Sequence, residues 1–228
     1  MSFVITVLMI WKVLVPSCLN GGNPVLIGLA IITVLTVVII SLVYGYDRRF
    51  IAATLGVMLG VITTCVLGIV FTKLFKIHGA VMSNSESLLY SGYEYLNLTS
   101  IFMASIFIGA SGAIMDIAVD ITSAIYEVVE KKPDIGWKEA TMSGIHVGRA
   151  AMGTMSTTLL LAYSGGYLAL LMVFMAQGTP IYNILNYKDV ASEILHTIVG
   201  SFGLVAVAPF TALMGGLLLV HDKGKEHE

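Results

Sequence analysis

The sequence predicts an all-α protein, a polytopic bundle of about six transmembrane helices. Three observations support this prediction: 57% of the 228 residues are hydrophobic, only 11% are charged, and the mean hydropathy is +0.91. Soluble domains carry about 25% charged residues, so this chain has too few to cover a surface that faces water. The apolar residues also form long runs, whereas membrane β-barrels show alternating segments of about 10 residues.

Six apolar segments follow one another along the chain. Their ranges are 2–16, 24–45, 50–72, 97–128, 148–176 and 195–220. The last five exceed the roughly 20 residues that cross a bilayer, and the first is shorter. The first segment also lacks the basic start of a signal peptide, so we expect it to be retained. Residues 1–228 are therefore expected to form a single transmembrane domain.

Short polar connections separate most of these segments. The turn signal at 20–24 and the charged residues at 47–49 bound the second segment. The longer polar stretch at 76–94 is expected to carry a short interfacial helix. Beyond the break at Pro133, Trp137 and three apolar residues at helical spacing predict an amphipathic surface helix between the fourth and fifth spans.

Basic residues are unevenly divided between the two sides of the predicted bundle. One side receives Arg48, Arg49, Lys131, Lys132, Lys138, Arg149, Lys223 and Lys225, and the other receives only Lys73, Lys76 and Lys188. Cytoplasmic connections carry the excess of Lys and Arg in membrane proteins. Both termini and the surface helix are therefore expected in the cytoplasm.

A polar stripe runs along one face of the fourth predicted span. Steps of three or four residues place its members above one another on a helix: Ser105, Gly109, Gly112, Asp116, Asp120 and Ser123. An intramembrane carboxylate must find a partner, a proton or water. We therefore expect this stripe to face protein or a cavity.

A second small, hydroxyl-rich patch opens the fifth span, and its members are Gly148, Arg149, Met152, Gly153, Thr154, Ser156, Thr157 and Thr158. Antiparallel helices joined by a short connection usually pack together, so Arg149 is expected to reach Asp120 or, less easily, Asp116. On this interpretation Asp116 takes and releases a proton, and Glu127 and His146 complete an entry path. The alternative is structural, because a buried Asp–Arg pair can simply lock the register of two helices.

Small residues also recur at helical spacing in the third span, at Gly56, Gly60, Thr64 and Gly68. Such a ridge lets another helix approach closely, either inside the bundle or across a homodimer. Gly109 and Gly112 in the fourth span and the glycines of the sixth span add further small residues. One interpretation of these ridges is therefore a homodimer.

Other functional classes lack their motifs. No phosphate-binding loop, His-Glu-x-x-His or Gly-x-Ser-x-Gly motif occurs, and no metal or other cofactor is expected. A basic stripe for nucleic acid is also missing, at a net charge of -2. We therefore do not expect an enzyme, and the expected partners are membrane lipid, a second copy of the chain, and a proton or small solute.

Two stretches resemble the signature sequences of a known family. Residues 109–118 (GASGAIMDIA) and 143–163 (SGIHVGRAAMGTMSTTLLLAY) look like those of the YibE/F family of bacterial multi-pass membrane proteins, and the likeness extends over nearly the whole chain. The resemblance implies a bacterial inner-membrane location and matches Asp116 to the family's acidic residue. Two differences suggest a compensating swap that keeps Arg149 paired: Ala150 stands where the family has Asp, and Asp120 where it usually has Ser. A third is Thr157, where the family has Asn.

The order of the fourth and fifth spans is also similar to the half-unit of RND-type permeases and SecD/SecF, without their large extracellular domain. In those proteins an acidic residue on the fourth span is tied to proton flow. The sequence therefore favours a permease or proton-coupled transport component. The alternative is a non-catalytic scaffold or partner subunit whose polar cluster only locks helix packing.

Overall fold

The computed structural model describes residues 2–82 and 85–220. This described part is built from helices and contains no strand. The predicted basic residues Lys223 and Lys225 lie outside it. The helices are α1 (Ser2–Met9), a π-helical segment (Ile10–Leu14), α2 (Val15–Leu19), α3 (Pro24–Tyr44), α4 (Arg48–Leu74), a 3-10 turn (Gly79–Val81), α5 (Ser85–Tyr90), α6 (Leu98–Lys131), α7 (Trp137–Gly166), α8 (Leu168–Ala176), α9 (Ile181–Leu185) and α10 (Lys188–Val220).

Within the described residues, five stretches of helix are long and apolar enough to cross a membrane, and a bent pair brings the number to six. The first is Ser2–Leu19, in which α2 continues three residues beyond the predicted segment. The others are α3, α4, α6 and α10, and the bent pair is α7 with α8. The predicted polytopic helical bundle is therefore confirmed, as is a short helix, α5, within the polar stretch at 76–94.

Local sequence explains where the second and third spans begin and end. Asn23 caps α3 by accepting a hydrogen bond from the main chain of Val25, and Pro24 occupies the first helical turn, where its missing N–H costs nothing. Gly45 then ends α3 with a φ of 70°, a conformation that side chains rarely adopt. Asp47 caps α4 directly afterwards.

The fifth span differs from its prediction at both ends. The expected separate surface helix does not form, because α7 runs without a break from Trp137 to Gly166. Gly144 and Gly148 allow this by packing closely against Ile125 and Ile121 of α6, which brings the two helices together directly after their connection. At Gly166 the chain bends by 61° into α8, so the segment predicted at 148–176 is divided.

The core of the bundle forms where α10 packs against α4, α6 and α7. The small residues of α4 lie at this contact: Gly56 meets Thr211, and Gly60 meets Val207 and Ile114. The ridge predicted in the third span therefore serves packing inside one chain, the first of the two interpretations that its spacing allowed.

Candidate functional site

The two faces of α6 have opposite characters. Its buried face carries four isoleucines at helical spacing, all fully buried: Ile114, Ile117, Ile121 and Ile125. Its other face carries the polar stripe, on which Gly109, Gly112, Asp116 and Asp120 are exposed in the single chain. The isoleucine face fixes the rotation of α6, so the two carboxylates point away from the core.

Contacts with α3 show how deep these carboxylates lie. α3 has 21 residues, and an 18-residue window within it has a mean hydropathy of 3.0, so this helix marks the thickness of the membrane. Near its start Gly28 lies against Phe107, and at its end the Tyr44 hydroxyl hydrogen-bonds the Val119 carbonyl at 2.6 Å. Asp116 lies between these two levels and is therefore within the membrane, whereas Asp120 lies near the end of α3.

A cavity of about 320 Å³ adjoins the stripe between the first helix, α3 and α6. Gly109 and Gly112 line it from α6, and Thr6 and Ile10 line it from the first helix. A Cβ added to Gly112 would meet nothing within 4 Å. The stripe therefore borders open space at Gly112, one turn from Asp116.

Arg149 does not form the expected contact with the carboxylates of the stripe. Among the described residues no ion pair within 4.0 Å joins it to Asp116 or Asp120, and its side chain is exposed. The physical reason lies one residue earlier, where Gly148 packs against Ile121. Arg149 is rotated by about 100° from Gly148 around the axis of α7, so it points away from this contact.

The remaining predicted residues lie on exposed surfaces. Glu127 is 3.9 Å from Lys131 on the same helix, and His146 is exposed on α7. The Thr154 and Thr157 hydroxyls donate to carbonyls of their own helix, at 2.9 Å and 3.1 Å. The structure therefore does not assemble these side chains into one cluster around Asp116.

Comparison with known proteins identifies the family. The model of the family described as YibE/F-like protein matches residues 1–221. The chain belongs to this family. No curated protein and no solved structure matches it. The membership agrees with the resemblance of the two signature stretches and with a membrane protein of several apolar helices.

This YibE/F-like protein carries a cation near the stripe that the sequence did not indicate. The guanidinium carbon of Arg49 lies 4.2 Å from the ring centre of Tyr126 and 5.3 Å from that of Tyr44, and its Nε is 2.8 Å from Asp47. The Tyr44 hydroxyl contacts Ser123 Oγ at 2.7 Å. Arg49 therefore contacts the ring of Tyr44, whose hydroxyl in turn contacts Ser123, the last residue of the stripe. This contact lies at the end of the bundle that holds Asp47.

The neighbouring arginines also affect the protonation of Asp47, the residue that caps α4. The Asp47 pKa is lowered, first by the hydrogen bond from the main chain of Arg48 and then by the hydrogen bond from the Arg49 side chain. This group lies before α4 begins, outside the spans, so Asp47 is a carboxylate at neutral pH.

A second polar cluster lies at the other end of the bundle, between α7 and α10. His196 Nε2 contacts the Tyr163 hydroxyl at 3.1 Å, and its ring also hydrogen-bonds the main chain of Ser105. Glu193 Oε2 is 4.0 Å from His196 Nδ1 and accepts a hydrogen bond from Tyr167. We call these residues, apart from Ser105, the Glu193 cluster.

Gly109 connects the Glu193 cluster to the polar stripe. A Cβ at this position would lie 2.6 Å from the Tyr163 hydroxyl oxygen and 3.0 Å from His196 Nε2. Only glycine therefore allows both side chains to lie against α6 here. From Gly109 to Asp116 is seven residues, or about 10 Å along the helix axis.

The sequence contains a signal for the Glu193 cluster. Glu193 and His196 are three residues apart, a spacing that puts both side chains on one helical face. The sixth predicted segment begins at residue 195, so Glu193 falls in the preceding connection and His196 in the span. For this reason the two residues are not predicted to act together. Among residues 2–82 and 85–220, no three His, Cys, Asp or Glu side chains are arranged to hold a metal ion.

Proposed function

We propose that this YibE/F-like protein is a permease or a proton-coupled transport component whose path follows the polar stripe of α6. The observation that supports it best is the position of Asp116, which lies at membrane depth and is not covered by another helix of the described chain. A carboxylate in lipid is costly, so such residues in membrane proteins usually mark the path of an ion or substrate.

The space beside the stripe also supports transport. A permease needs room for water at its titrating group, whereas a purely structural stripe would be packed against side chains. The cavity of about 320 Å³ leaves open space that begins one helical turn from Asp116, at Gly112, and its hydroxyl-bearing lining residues are Thr6 and Ser111.

In this proposal Asp116 is the group that binds and releases the proton. Asp120, one helical turn away, adds a like charge that favours the protonated form of its neighbour. Thr154 and Thr157 of α7 are left out of this path, because their hydroxyls donate to carbonyls of their own helix on an exposed surface. Arg149 is left out of the pairing proposed from the sequence, since its side chain makes no ion pair with either carboxylate among the described residues.

The exposed stripe also requires a partner surface, and we propose that a second copy of the chain covers it. We place the protein in an inner membrane, with the end that holds Arg48 and Arg49 facing the cytoplasm. Small residues favour close approach of two helices in a membrane. An added Cβ would meet nothing within 4 Å at Gly112 or at Gly153. The same open glycines favour the second candidate function, a partner subunit whose stripe binds another membrane protein.

The test is proton flux in proteoliposomes under an imposed pH gradient. We expect flux in the native protein, loss of at least tenfold in Asp116→Asn, and retention in Glu130→Gln, which removes an exposed acid from the same helix. Arg149→Ala is expected to retain flux. Thermal unfolding of each variant checks that it remains folded.

Two results would argue against the proposal. Flux that persists in Asp116→Asn would remove the carboxylate from the path. The second is the absence of flux in the native protein. If a chemical crosslink from the stripe to another membrane protein is then lost in Asp116→Asn, the stripe is a binding surface and the partner subunit is favoured.

A further inference from the structure

Among the described residues, the Glu193 carboxylate forms no ion pair with a Lys or Arg, and its hydrogen bond from Tyr167 brings no positive charge. Its side chain is 20% exposed, and its ion pair among the described residues is the 4.0 Å contact with His196. That histidine also contacts Tyr163 and the main chain of Ser105. Asp189 adds a second negative charge one turn earlier on α10. A mostly buried carboxylate in such surroundings requires a cation or a proton.

A cleft of about 200 Å³ opens beside this carboxylate. Glu193, Tyr163 and Tyr167 line it together with two hydroxyl residues, Ser164 and Thr197, and the rest of its wall is aliphatic. Pockets for drug-sized ligands measure about 300–1,000 Å³, so this cleft suits a smaller molecule.

The lining selects the chemical class of that molecule. A bare inorganic cation would leave the aliphatic wall without a partner, and an anion would be repelled by Glu193. An organic ammonium ion satisfies both parts, because its charge faces the carboxylate while its carbon atoms contact the aliphatic wall and the tyrosine rings. Aromatic rings attract such cations through their negative faces.

We propose that this cleft binds a small organic ammonium ion, with Glu193 as its counter-ion and Tyr163 and Tyr167 as its aromatic walls. The ion is either a free amine or the ammonium group of a lipid headgroup. Exposed apolar residues beside the cleft, Ile194 and Ile198, give it access from the outer surface of the bundle. The inference goes beyond the proposed function, since binding here does not depend on transport through the stripe.

The experiment measures binding of n-propylammonium to the full chain in dodecyl maltoside micelles, which contain no amine. Isothermal titration calorimetry or saturation-transfer NMR reports the affinity, and n-propanol serves as the neutral probe of similar shape. We expect propylammonium to bind at least tenfold more tightly than propanol. Glu193→Gln should weaken it at least tenfold, and Glu127→Gln should leave it unchanged.

Ser164→Trp provides an independent variant. Ser164 is exposed at the lining, so a large side chain there fills the cleft without changing the core or the carboxylate. Loss of propylammonium binding in this variant supports the proposal even if Glu193→Gln fails to fold. Equal binding of propanol and propylammonium, or undiminished binding in either folded variant, would overturn it.

Added lipid distinguishes the two sources of the ammonium group. If a headgroup fills the cleft, phosphatidylethanolamine in the micelles should compete with propylammonium, whereas phosphatidylglycerol should not. Competition by neither lipid assigns the cleft to a free amine.

Discussion

Replacement of Gly203 by alanine tests how α4 and α10 pack. Gly203 lies on α10 at the point where this helix meets Thr64 of α4. A Cβ at Gly203 would lie 2.0 Å from Thr64 Oγ1 and 3.3 Å from Ile114 Cδ1, whereas ordinary contacts are 3.4–4 Å. The Thr64 hydroxyl is fully buried and donates to the Gly60 carbonyl at 2.9 Å, so it cannot simply rotate away. The two helices must therefore separate.

The magnitude follows from two opposing effects. Overpacking of a well-packed core costs about 1–3 kcal/mol. Alanine favours a helix over glycine by about 0.5–1 kcal/mol. We expect Gly203→Ala to lower the free energy of unfolding by about 1.3 kcal/mol, the difference between the midpoints of these two ranges.

The control for this variant is Gly153→Ala on α7, where an added Cβ meets nothing within 4 Å. It should not destabilise the protein, because only the effect on helix propensity remains. Titration with sodium dodecyl sulfate in mixed micelles measures the free energy of unfolding of each variant.

A double variant makes the reasoning refutable. Thr64→Ala removes the oxygen that clashes, and its hydroxyl bonds only to its own helix. We expect Gly203→Ala with Thr64→Ala to regain most of the lost stability, a coupling of about 1–2 kcal/mol. Native stability in Gly203→Ala alone, or no recovery in the double variant, would show that the two helices do not meet at these residues.

Two further predictions concern polar groups. Thr122 is fully buried and its hydroxyl has no hydrogen-bond partner among the described residues, so Thr122→Val should be neutral or stabilise by about 1 kcal/mol; a clear loss in the same micelle titration would reveal a partner for the hydroxyl. The lowered pKa of Asp47 gives stability that is present above its unfolded pKa of about 3.9 and is lost as pH falls through the lower folded pKa. The melting temperature of the native protein should therefore exceed that of Asp47→Asn at pH 7, and this difference should disappear below about pH 4. The difference should be small, because the Asp47 side chain is 43% exposed. A difference that does not change with pH would contradict the prediction.

The sequence was sufficient for the fold class and for the ridge of α4. Spacing of small residues shows that a helical face is flat, as it does at Gly56 and Gly60. It does not show which helix meets that face, because the choice depends on the packing of the whole bundle. The structure assigns the ridge to α10, which is far away in sequence.

The candidate site was predicted less completely than the fold. The stripe follows from helical period alone, so Asp116 and Asp120 were found on one face. The pairing with Arg149 relied on sequence neighbourhood, and it is absent because a difference of one residue turns a side chain by about 100°. The contacts of Arg49 and Glu193 were not predicted, because each residue lies just before an apolar segment. A charged residue at such a position is usually interpreted as part of the polar connection.

The central position of α10 has a consequence for biogenesis. α4 and α7 make little direct contact with each other, and α10 packs against both of them and against α6. While a ribosome is still making the chain, the grooves at Gly60 and Gly144 are open to lipid, because Val207 and Ala212 that close them belong to α10. The earlier spans therefore remain incompletely packed until this last described helix leaves the translocon.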